Sequence, residues 1–299
     1  KLLRLLGAFV QMINIQRSFK GEKSAGTLYL VPTPIGNMQD MTLRALETLR
    51  NVDLVASEDT RNTQKLLNHF EIKVAQESFH EHNSFDKIPK LLDFLMSGKS
   101  LAQVSDAGMP SISDPGHDLV VEAIKRNIDV IALPGASAGI TALIASGLIP
   151  QPHIFYGFLP RKKGEQKKFL ETKLAYPETQ IFYESPYRVA DTLENMAQVY
   201  GDREVTLVRE LTKIYEEYRR GKISEILLSL KEQPIKGECL LIVAGFDGEV
   251  EDDVEDKTTP LEAVQLLVAS GIKPNAAIKQ VAKERELVRQ ELYAQYHDL

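Results

Sequence analysis

Four segments of the chain repeat one order, in which an apolar run ends in a polar or glycine-rich turn and an amphipathic stretch follows. The apolar runs are residues 27–31 (TLYLV), 53–57 (DLVAS), 101–104 (LAQV) and 129–133 (DVIAL). This repetition predicts a mostly parallel β-sheet, because parallel neighbours need a crossover connection such as a helix. Open parallel sheets bind ligands beyond the carboxyl ends of their strands, so we expect the four turns to meet at one pocket.

The strand-like segments lie closer together after residue 152, which predicts a second domain with a mixed sheet. TQIFYES, EVTLVREL, EEYRRGK and GECLLIVAG have the pattern of strands, and RVADTLENMAQVYG and ISEILLSLK that of helices. We therefore expect an α/β fold. Its expected parts are an N-terminal extension (1–26), a parallel-sheet N-terminal domain (27–152), a mixed α/β second domain (153–246), an acidic linker (247–258) and a C-terminal helical module (259–299).

The net charge of −6 is concentrated in residues 247–257, where seven acidic residues and one lysine also sum to −6. The rest of the chain is balanced, so the overall acidity does not exclude a nucleic-acid partner. Two basic runs stand out, residues 161–168 (RKKGEQKK) and 219–222 (RRGK). Either run can be a solvated face. The first, which follows several aromatic residues, can also contact a phosphate backbone.

Other classes of protein are disfavoured by what the chain contains. The chain has a single cysteine, Cys239, so an internal disulfide framework is ruled out. A lone thiol is consistent with the reducing cytoplasm, and its place in a strand-like segment predicts a buried apolar residue. No apolar run approaches the roughly 18 residues of a membrane span, and the start carries no cleavage signature. Met12 is a candidate natural start. We expect no metal, because His80 and His82 have no partners in the sequence that would complete a zinc site.

Residues 135–139 (GASAG) formally match the nucleophile elbow of a hydrolase. The histidines downstream, His153 and His297, are poorly placed for a catalytic triad. The alternative interpretation is a turn of small residues that lets the backbone approach a ligand. The chain contains neither G-x-G-x-x-G nor the P-loop pattern, so an ordinary dinucleotide or nucleoside triphosphate site is not expected.

The turn at residues 104–116, VSDAGMPSISDPG, has the richest turn chemistry in the chain. Its small residues leave backbone N–H and C=O groups free to face a bound molecule, and Asp106 and Asp114 add acceptors. Such a loop suits a ligand with amino, hydroxyl and adenine groups. A ligand with several phosphates would instead require amides backed by lysine.

Nine motifs occur in order: LYLVPTPIGNMQDMTLRALETL, EDTRNTQKLL, HEHN, VSDAGMPSISDPG, LPGASAGITALIASGL, GFLPRKKGE, IFYESPYR, RELTK and KGECLLIV. The set closely resembles the bacterial 16S ribosomal RNA (cytidine-2′-O)-methyltransferases, a branch of the tetrapyrrole methylase superfamily. The resemblance covers roughly residues 27–245, and more weakly the C-terminal module. It implies a two-domain tetrapyrrole methylase-like fold with S-adenosylmethionine between the domains. It also implies a decoding-site cytidine of the small ribosomal subunit as substrate, a cytoplasmic location and a homodimer.

The resemblance and the converging turns together place the cofactor against the backbone of residues 105–108, 134–137 and 183–185. The predicted cofactor-binding residues are Pro32, Ser105, Asp106, Ala107, Gly108, Pro134, Gly135, Ala136, Ser137, Tyr183, Glu184, Ser185, Leu211 and Ala244.

Two positions depart from the family's usual pattern. Met109 stands where many members have Thr, and Tyr187 stands where many have His, so an imidazole base at that position is excluded. Arg61 and Arg188 are expected to hold phosphates or to brace the pocket.

The implied reaction is a direct displacement, in which alignment of a ribose 2′-oxygen with the methyl–sulfur bond supplies much of the rate. A base can remove the hydroxyl proton, and the predicted catalytic residues are Glu184, Glu210 and Lys213, with Tyr183 a weaker candidate. Lys213 would need a lowered pKa for this role. Glu210 and Lys213 can instead form a structural ion pair.

Alternative functions remain open at the level of sequence. A small-molecule (tetrapyrrole-type) methyltransferase is disfavoured by the basic run 161–168 and the C-terminal module, and a non-catalytic ribosome-binding protein by the intact YESPYR and RELTK motifs. A hydrolase built on GASAG is weaker still. The C-terminal module is predicted to have two or three helices around its GIKPN turn, and it either packs as an appendage or binds RNA in the manner of a helix-turn-helix.

Overall fold

The four strand–turn–helix units form one parallel sheet in a computed structural model of the protein. Two compact units divide the chain, Lys1–Phe246 and Asp247–Leu299. Met12 and residues 249–258, which include most of the predicted acidic linker, lie outside the described residues. The structure describes residues 14–17, 25–114, 116–248, 259–269, 272–285 and 287–297.

The first sheet consists of β1 (Thr27–Leu30), β2 (Leu54–Ser57), β3 (Gln76–Ser78), β4 (Leu101–Val104) and β5 (Asp129–Ala132). Their order is β3-β2-β4-β1-β5, and every neighbouring pair is parallel. A 3-10 turn (Met38–Asp40) follows β1. The helices of this region are α1 (Leu43–Asn51), α2 (Thr60–His69), α3 (Ser84–Met96), α4 (Gly116–Lys125) and α5 (Ala138–Ser146).

The central position of β4 follows from its sequence. All four residues of LAQV are buried, as expected for a parallel strand covered on both faces. Residues of α1 and α2, such as Leu49 and Leu67, pack with Val55 on one face. Residues of α3 and α4, such as Leu91 and Leu119, pack on the other. The sheet therefore presents the carboxyl ends of its strands, with their turns, along one edge.

The second sheet consists of β6 (His153–Phe158), β7 (Thr179–Glu184), β8 (Glu204–Arg209), β9 (Glu217–Lys222) and β10 (Cys239–Val243). In the order β6-β7-β10-β8-β9, only β6 and β7 are parallel to each other. The helices here are α6 (Lys163–Glu171), α7 (Val189–Tyr200) and α8 (Ile223–Glu232). The predicted α/β architecture, with a parallel sheet followed by a mixed sheet, is confirmed.

Helix α5 follows the first sheet in sequence but packs on the second. Its Ala142 and Leu143 lie in one cluster with Ile181, Val208 and Leu240 of the second sheet. Arg220 of β9 donates to the carbonyl oxygens of residues 145 and 146 at the end of α5, at 2.6 and 3.1 Å. Both sheets accordingly belong to the same compact unit.

The sequence reasoning missed β3 and α3. Strand β3 has three partly buried polar residues, QES, with no apolar run, and it is formed only because the edge of β2 is available for pairing. Helix α3 contains Pro89 in its interior, a residue that normally disfavours a helix. Burial of Leu91, Leu92 and Leu95 against the first sheet stabilises it nevertheless.

The second unit contains three helices in its described residues, α9 (Pro260–Ala269), α10 (Pro274–Glu284) and α11 (Arg289–Tyr296). Their core is small, and it is formed by Val264, Ala277, Ile278, Val281, Ala282 and Leu292.

Candidate active site

The turns after the strands of the first sheet face the second sheet across a cavity of about 640 Å³, which we call the main cavity. This volume is typical of small-molecule sites, which span about 300–1,000 Å³. The first sheet contributes residues such as Glu58, Ser105 and Gly108, and the second sheet contributes residues such as Tyr183 and Leu211. The predicted convergence of turns on one pocket therefore occurs, and the mixed sheet supplies the opposite wall.

Gly108 brings the backbones of two turns together. Its N–H and C=O both bond to Thr33, at 3.0 Å each, and Thr33 Oγ1 donates to the carbonyl oxygen of Ser105. Gly108 has a φ of +78°, and an added Cβ would lie 3.3 Å from the Ile35 side chain. The position therefore requires glycine both for its backbone conformation and for its closeness to the cavity wall.

The acceptors predicted in the 104–116 turn are used by the protein itself. Asp114 Oδ1 accepts from Gln103 Nε2 and from the N–H groups of Ser111 and Gly116, all at 2.9 Å. Asp114 lines the main cavity, but its carboxylate chiefly holds the turn in shape, which argues against its expected role as an acceptor for a ligand.

Asp106 binds the neighbouring turn after β2 in a similar way. Its oxygens accept from the N–H of Asp59 at 3.2 Å and from Asn62 Nδ2 at 3.1 Å, and its own N–H donates to Glu58 Oε2 at 3.0 Å. Asp106 itself does not line the main cavity. Of the predicted cofactor contacts in this turn, Ser105, Ala107 and Gly108 line it.

Glu58 is the carboxylate that sequence reasoning missed. It lines the main cavity, and Oε1 has no hydrogen-bond partner among the described residues. Burial, followed by the negative charges of Asp106 and Asp114, raises the pKa of Glu58, although the Asp106 N–H opposes this. A carboxylate directly after a buried parallel strand was the available signal, because such positions face the ligand edge of a sheet.

The second sheet supplies an aromatic wall. Tyr183 packs edge-on against Phe155 and Phe158, with ring centroids 5.0 and 5.5 Å apart. All three line the main cavity, as do the predicted residues Ser137, Ser185 and Leu211. Burial raises the pKa of Tyr183, which argues against its weaker candidacy as a base.

Glu184 does not have the geometry of a base. Its side chain is 1% exposed. Oε1 accepts from the N–H of Ser185 at 2.8 Å, and Oε2 accepts from Thr192 at 2.7 Å. Arg188 lies 3.6 Å from Oε1 and also donates to the carbonyl oxygen of Pro160. Glu184 and Arg188 therefore brace the turn that begins α7. Glu184 lines the main cavity, as predicted for a cofactor contact, but its hydrogen bonds argue against the predicted role as a base.

Glu210 and Lys213 form the ion pair that was the alternative interpretation. Lys213 Nζ donates to Glu210 Oε1 and to Glu238 Oε2, at 3.0 Å each. A hydrogen bond from the Glu238 N–H is the largest cause that lowers the pKa of Glu210. Burial opposes the charged form of Lys213, but the two carboxylates outweigh it and raise the pKa of Lys213. Neither residue lines the main cavity, and a lysine with a raised pKa is a poor base.

Several other predicted residues lie away from the main cavity. Ala244 follows the end of β10 opposite to the cavity, because Cys239 and Leu240 line it and Ala244 comes after Val243. Pro32, Pro134, Gly135 and Ala136 also do not line it.

Gly135 lies against another residue of the protein and not against the main cavity, since a Cβ added to it would lie 2.5 Å from the Pro32 side chain. Met109 lines the main cavity, whereas the side chain of Tyr187 is 91% exposed. Arg61 is exposed and binds the carboxylate of its neighbour Asp59.

The chemistry of the main cavity is mostly apolar. Among the described residues that line it, none is lysine, arginine or histidine. Ser137, the residue before α5, therefore lacks the histidine that a hydrolase would need among the described lining residues. Cys239 lines the cavity, but burial raises its pKa to about 12, so the thiol stays protonated at neutral pH. Such a site suits a small molecule with flat apolar parts and few negative charges.

The two basic runs have different environments. In the run 219–222, Arg219 bonds to Glu217 and Ser229, and Arg220 bonds to the end of α5. In the run 161–168, Arg161, Lys163 and Lys168 are exposed and make no ion pair among the described residues. The run 161–168 therefore offers more exposed, unpaired basic side chains to a polyanion than the run 219–222, whose two arginines are held by internal bonds.

No three or more His, Cys, Asp or Glu side chains are grouped to hold a metal ion in the part of the chain that the structure describes. None of the described helices is both long and apolar enough to cross a membrane.

Comparisons with known proteins agree with one another. Residues 27–227 match the family described as Tetrapyrrole (Corrin/Porphyrin) Methylases. The Streptococcus pyogenes serotype M1 protein named ribosomal RNA small subunit methyltransferase I is 65% identical over 287 residues, covering 96% of this chain and 100% of that protein. The Bacillus subtilis (strain 168) protein of the same name is 48% identical, covering 96% and 99%.

Among solved structures, uroporphyrin-III C-methyltransferase from Thermus thermophilus, complexed with S-adenosylhomocysteine, has a similar fold. Its TM-score is 0.50 at 19% sequence identity, and the match covers 73% of this chain and 97% of that one.

Proposed function

The chain belongs to the ribosomal RNA small subunit methyltransferase I family, within the tetrapyrrole methylases, and we propose that it methylates the 2′-oxygen of a decoding-site cytidine in 16S ribosomal RNA. The cofactor is S-adenosylmethionine. The observation that carries the proposal is the main cavity, whose described lining residues are mostly apolar and include no lysine, arginine or histidine.

The residues of the main cavity fit this cofactor. Gly108 and Ala107 leave room for a close approach to the backbone, and Leu211, Leu240 and Ile181 supply an apolar wall for an adenine ring. When bound, the cofactor supplies a methyl group on a positively charged sulfur. The absence of lysine and arginine from the described lining is favourable to that charge.

The role that we propose for Glu58 is to accept the proton of the substrate hydroxyl at Oε1. Bound S-adenosylmethionine would supply the methyl group to the ribose 2′-oxygen, and the electron pair of the methyl–sulfur bond would remain on its sulfur. Alignment supplies much of the rate, and a base adds to it. Glu58 is better suited than the acids predicted from sequence, because both oxygens of Glu184 accept internal hydrogen bonds and Glu210 does not line the main cavity.

We propose that three exposed basic side chains bind the RNA backbone: Lys163 and Lys168 of α6, and Arg161 just before this helix. We also propose a cytoplasmic location, because the proposed substrate is ribosomal RNA. The assembly that we propose is a homodimer.

Replacing Arg161, Lys163 and Lys168 together with alanine should weaken binding of small ribosomal subunits and flatten its salt dependence. Fewer counterions are released when fewer phosphates are contacted, so the negative slope of log K against log salt should become shallower by roughly 2 to 3. Subunit binding is measured across salt concentrations, and cofactor affinity by calorimetry should not change. The matched control replaces Lys73, Lys90 and Lys231, which are also exposed. Equal slopes for both variants would show that the α6 lysines are a solvated face.

The proposed function is tested with small subunits from cells that lack this gene. Incubation with labelled S-adenosylmethionine should place the label on 16S RNA, and mapping should find it on one decoding-site cytidine. A 2′-O-methyl group blocks alkaline cleavage at the next phosphodiester, so the labelled position should resist alkali.

Label on a base, or an alkali-sensitive position, would contradict ribose methylation. A tetrapyrrole macrocycle offered in a parallel reaction tests the alternative function. Efficient transfer to it, with none to subunits, would establish the small-molecule methyltransferase instead.

A further inference from the structure

A second, smaller cavity of about 280 Å³ adjoins the main cavity, and we call it the polar cavity. It lies between the turns after β1 and β8 and the start of α2. Ile35, Ala107 and Glu238 line both cavities, so ligands in the two would be neighbours. The residues that give it a different chemistry are Asn62, Lys65, Asp106 and Lys213.

Asn62 gives the polar cavity a hydrogen-bond acceptor that is held in a fixed direction. Asn62 Nδ2 donates to Asp106 Oδ2 at 3.1 Å, and Asp106 is itself held by the N–H of Asp59 at 3.2 Å. The carboxylate of Asp106 therefore holds the amide nitrogen of Asn62. The amide oxygen, Oδ1, has no partner among the described residues and is left as an acceptor. It would accept from the exocyclic amino group of cytosine or adenine but would face the carbonyl oxygen of uracil.

The polar cavity also offers positive charge. Lys65 is exposed and makes no ion pair among the described residues, so its ammonium group is free to contact a phosphate. Lys213 is different, because it is balanced by Glu210 and Glu238. Pro34, Ile35, Met38 and Leu66 add apolar surface for the face of a base.

The turn after β8, whose Lys213 lines the polar cavity, has a strained backbone and one unpaired polar atom beside the cavity. Glu210 and Thr212 have positive φ values of 49° and 68°, which non-glycine residues adopt only where the surroundings impose them. Thr212 Oγ1 is buried without a hydrogen-bond partner in the described structure. It lies 2.9 Å from where a Cβ on Gly36 would be, and Gly36 lines the polar cavity.

We propose that the polar cavity binds the target nucleotide, with Lys65 at a phosphate and Asn62 Oδ1 at the amino group of the base. This inference rests on the proposed function and adds to it the residue that selects the base. Because the two cavities adjoin, the ribose of a nucleotide in the polar cavity would lie towards Glu58 in the main cavity. The Glu58 carboxylate accepts a hydrogen bond from the N–H of Asp106, which lines the polar cavity.

The test compares Lys65→Glu with Lys73→Glu, a matched charge reversal at an exposed lysine that lines neither cavity. Binding of dye-labelled enzyme to unmethylated small subunits is measured directly, without methyl transfer. Lys65→Glu should weaken it about ten-fold and reduce the salt slope by about 1 to 2, since a repulsive charge replaces one phosphate contact. Affinity for S-adenosylhomocysteine should be unchanged. Equal subunit binding by the two variants would overturn the proposal.

Base selection is tested with small subunits that carry cytidine or uridine at the target position. Wild type should prefer cytidine by about ten-fold in kcat/KM, and Asn62→Ala should bring that ratio close to one. An unchanged ratio in Asn62→Ala would overturn the assignment of Asn62. If wild type transfers no methyl group to any subunit, the proposed function fails, while the binding comparison of Lys65→Glu and Lys73→Glu still decides whether the polar cavity contacts RNA.

Discussion

Replacing Glu58 with glutamine is expected to lower the rate of methyl transfer by about 100-fold at neutral pH, the lower end of the range for loss of a general base. Only the ionised carboxyl can accept a proton. In the wild type the rate should therefore rise with pH through the pKa of Glu58, which burial and then the neighbouring acids Asp106 and Asp114 raise above its usual value. Glutamine does not titrate, so the rising part of the pH–rate profile should disappear. Single-turnover rates over a range of pH measure both effects.

Glutamine preserves the shape of Glu58 and can still accept the hydrogen bond from the Asp106 N–H. Affinity for the cofactor should therefore change little. Glu210→Gln is the contrast, because this carboxylate lies outside the main cavity and its pKa is lowered, chiefly by the N–H of Glu238. It should keep the rising part of the profile. Loss of that part in Glu210→Gln, and its retention in Glu58→Gln, would reverse the assignment.

Replacing Gly108 with valine is expected to weaken cofactor binding by at least ten-fold. The φ of +78° strains a branched side chain by about 1–3 kcal/mol, and an added Cβ would already lie 3.3 Å from Ile35 and 3.6 Å from the carbonyl oxygen of Ala136. The remaining methyl groups of valine must then displace the cavity wall or enter the cavity. Calorimetric titration with S-adenosylhomocysteine measures the change.

Gly98→Val is the control that separates backbone strain from the loss of space in the cavity, the two effects expected of Gly108→Val. Gly98 has a similar φ of +87°, but no atom lies within 4 Å of an added Cβ. Both variants should lose thermal stability from the backbone strain, and only Gly108→Val should lose the cofactor. A folded Gly108→Val protein with wild-type affinity would remove the cofactor from this turn.

The sequence by itself determined the local features of this protein. Apolar runs followed by turns and amphipathic stretches predicted β1, β2, β4 and β5, because burial on both faces of a parallel sheet requires such runs. The turn chemistry of residues 104–116 pointed to Gly108, which lines the main cavity with a positive φ. These features depend on neighbours in the chain, so a sequence displays them directly.

Tertiary structure alone decided which polar side chains are free. Glu184 Oε2 accepts a hydrogen bond from a residue 8 positions away in sequence, and Arg220 donates to a residue 74 positions away. Neither partner is visible in a local pattern. Glu58 has a free oxygen beside the cavity because the Asp106 amide, 48 residues away, binds only the other one. A carboxylate becomes a brace or a base according to the donors around it. Those donors are brought together by strand pairing and helix packing, which no stretch of sequence contains.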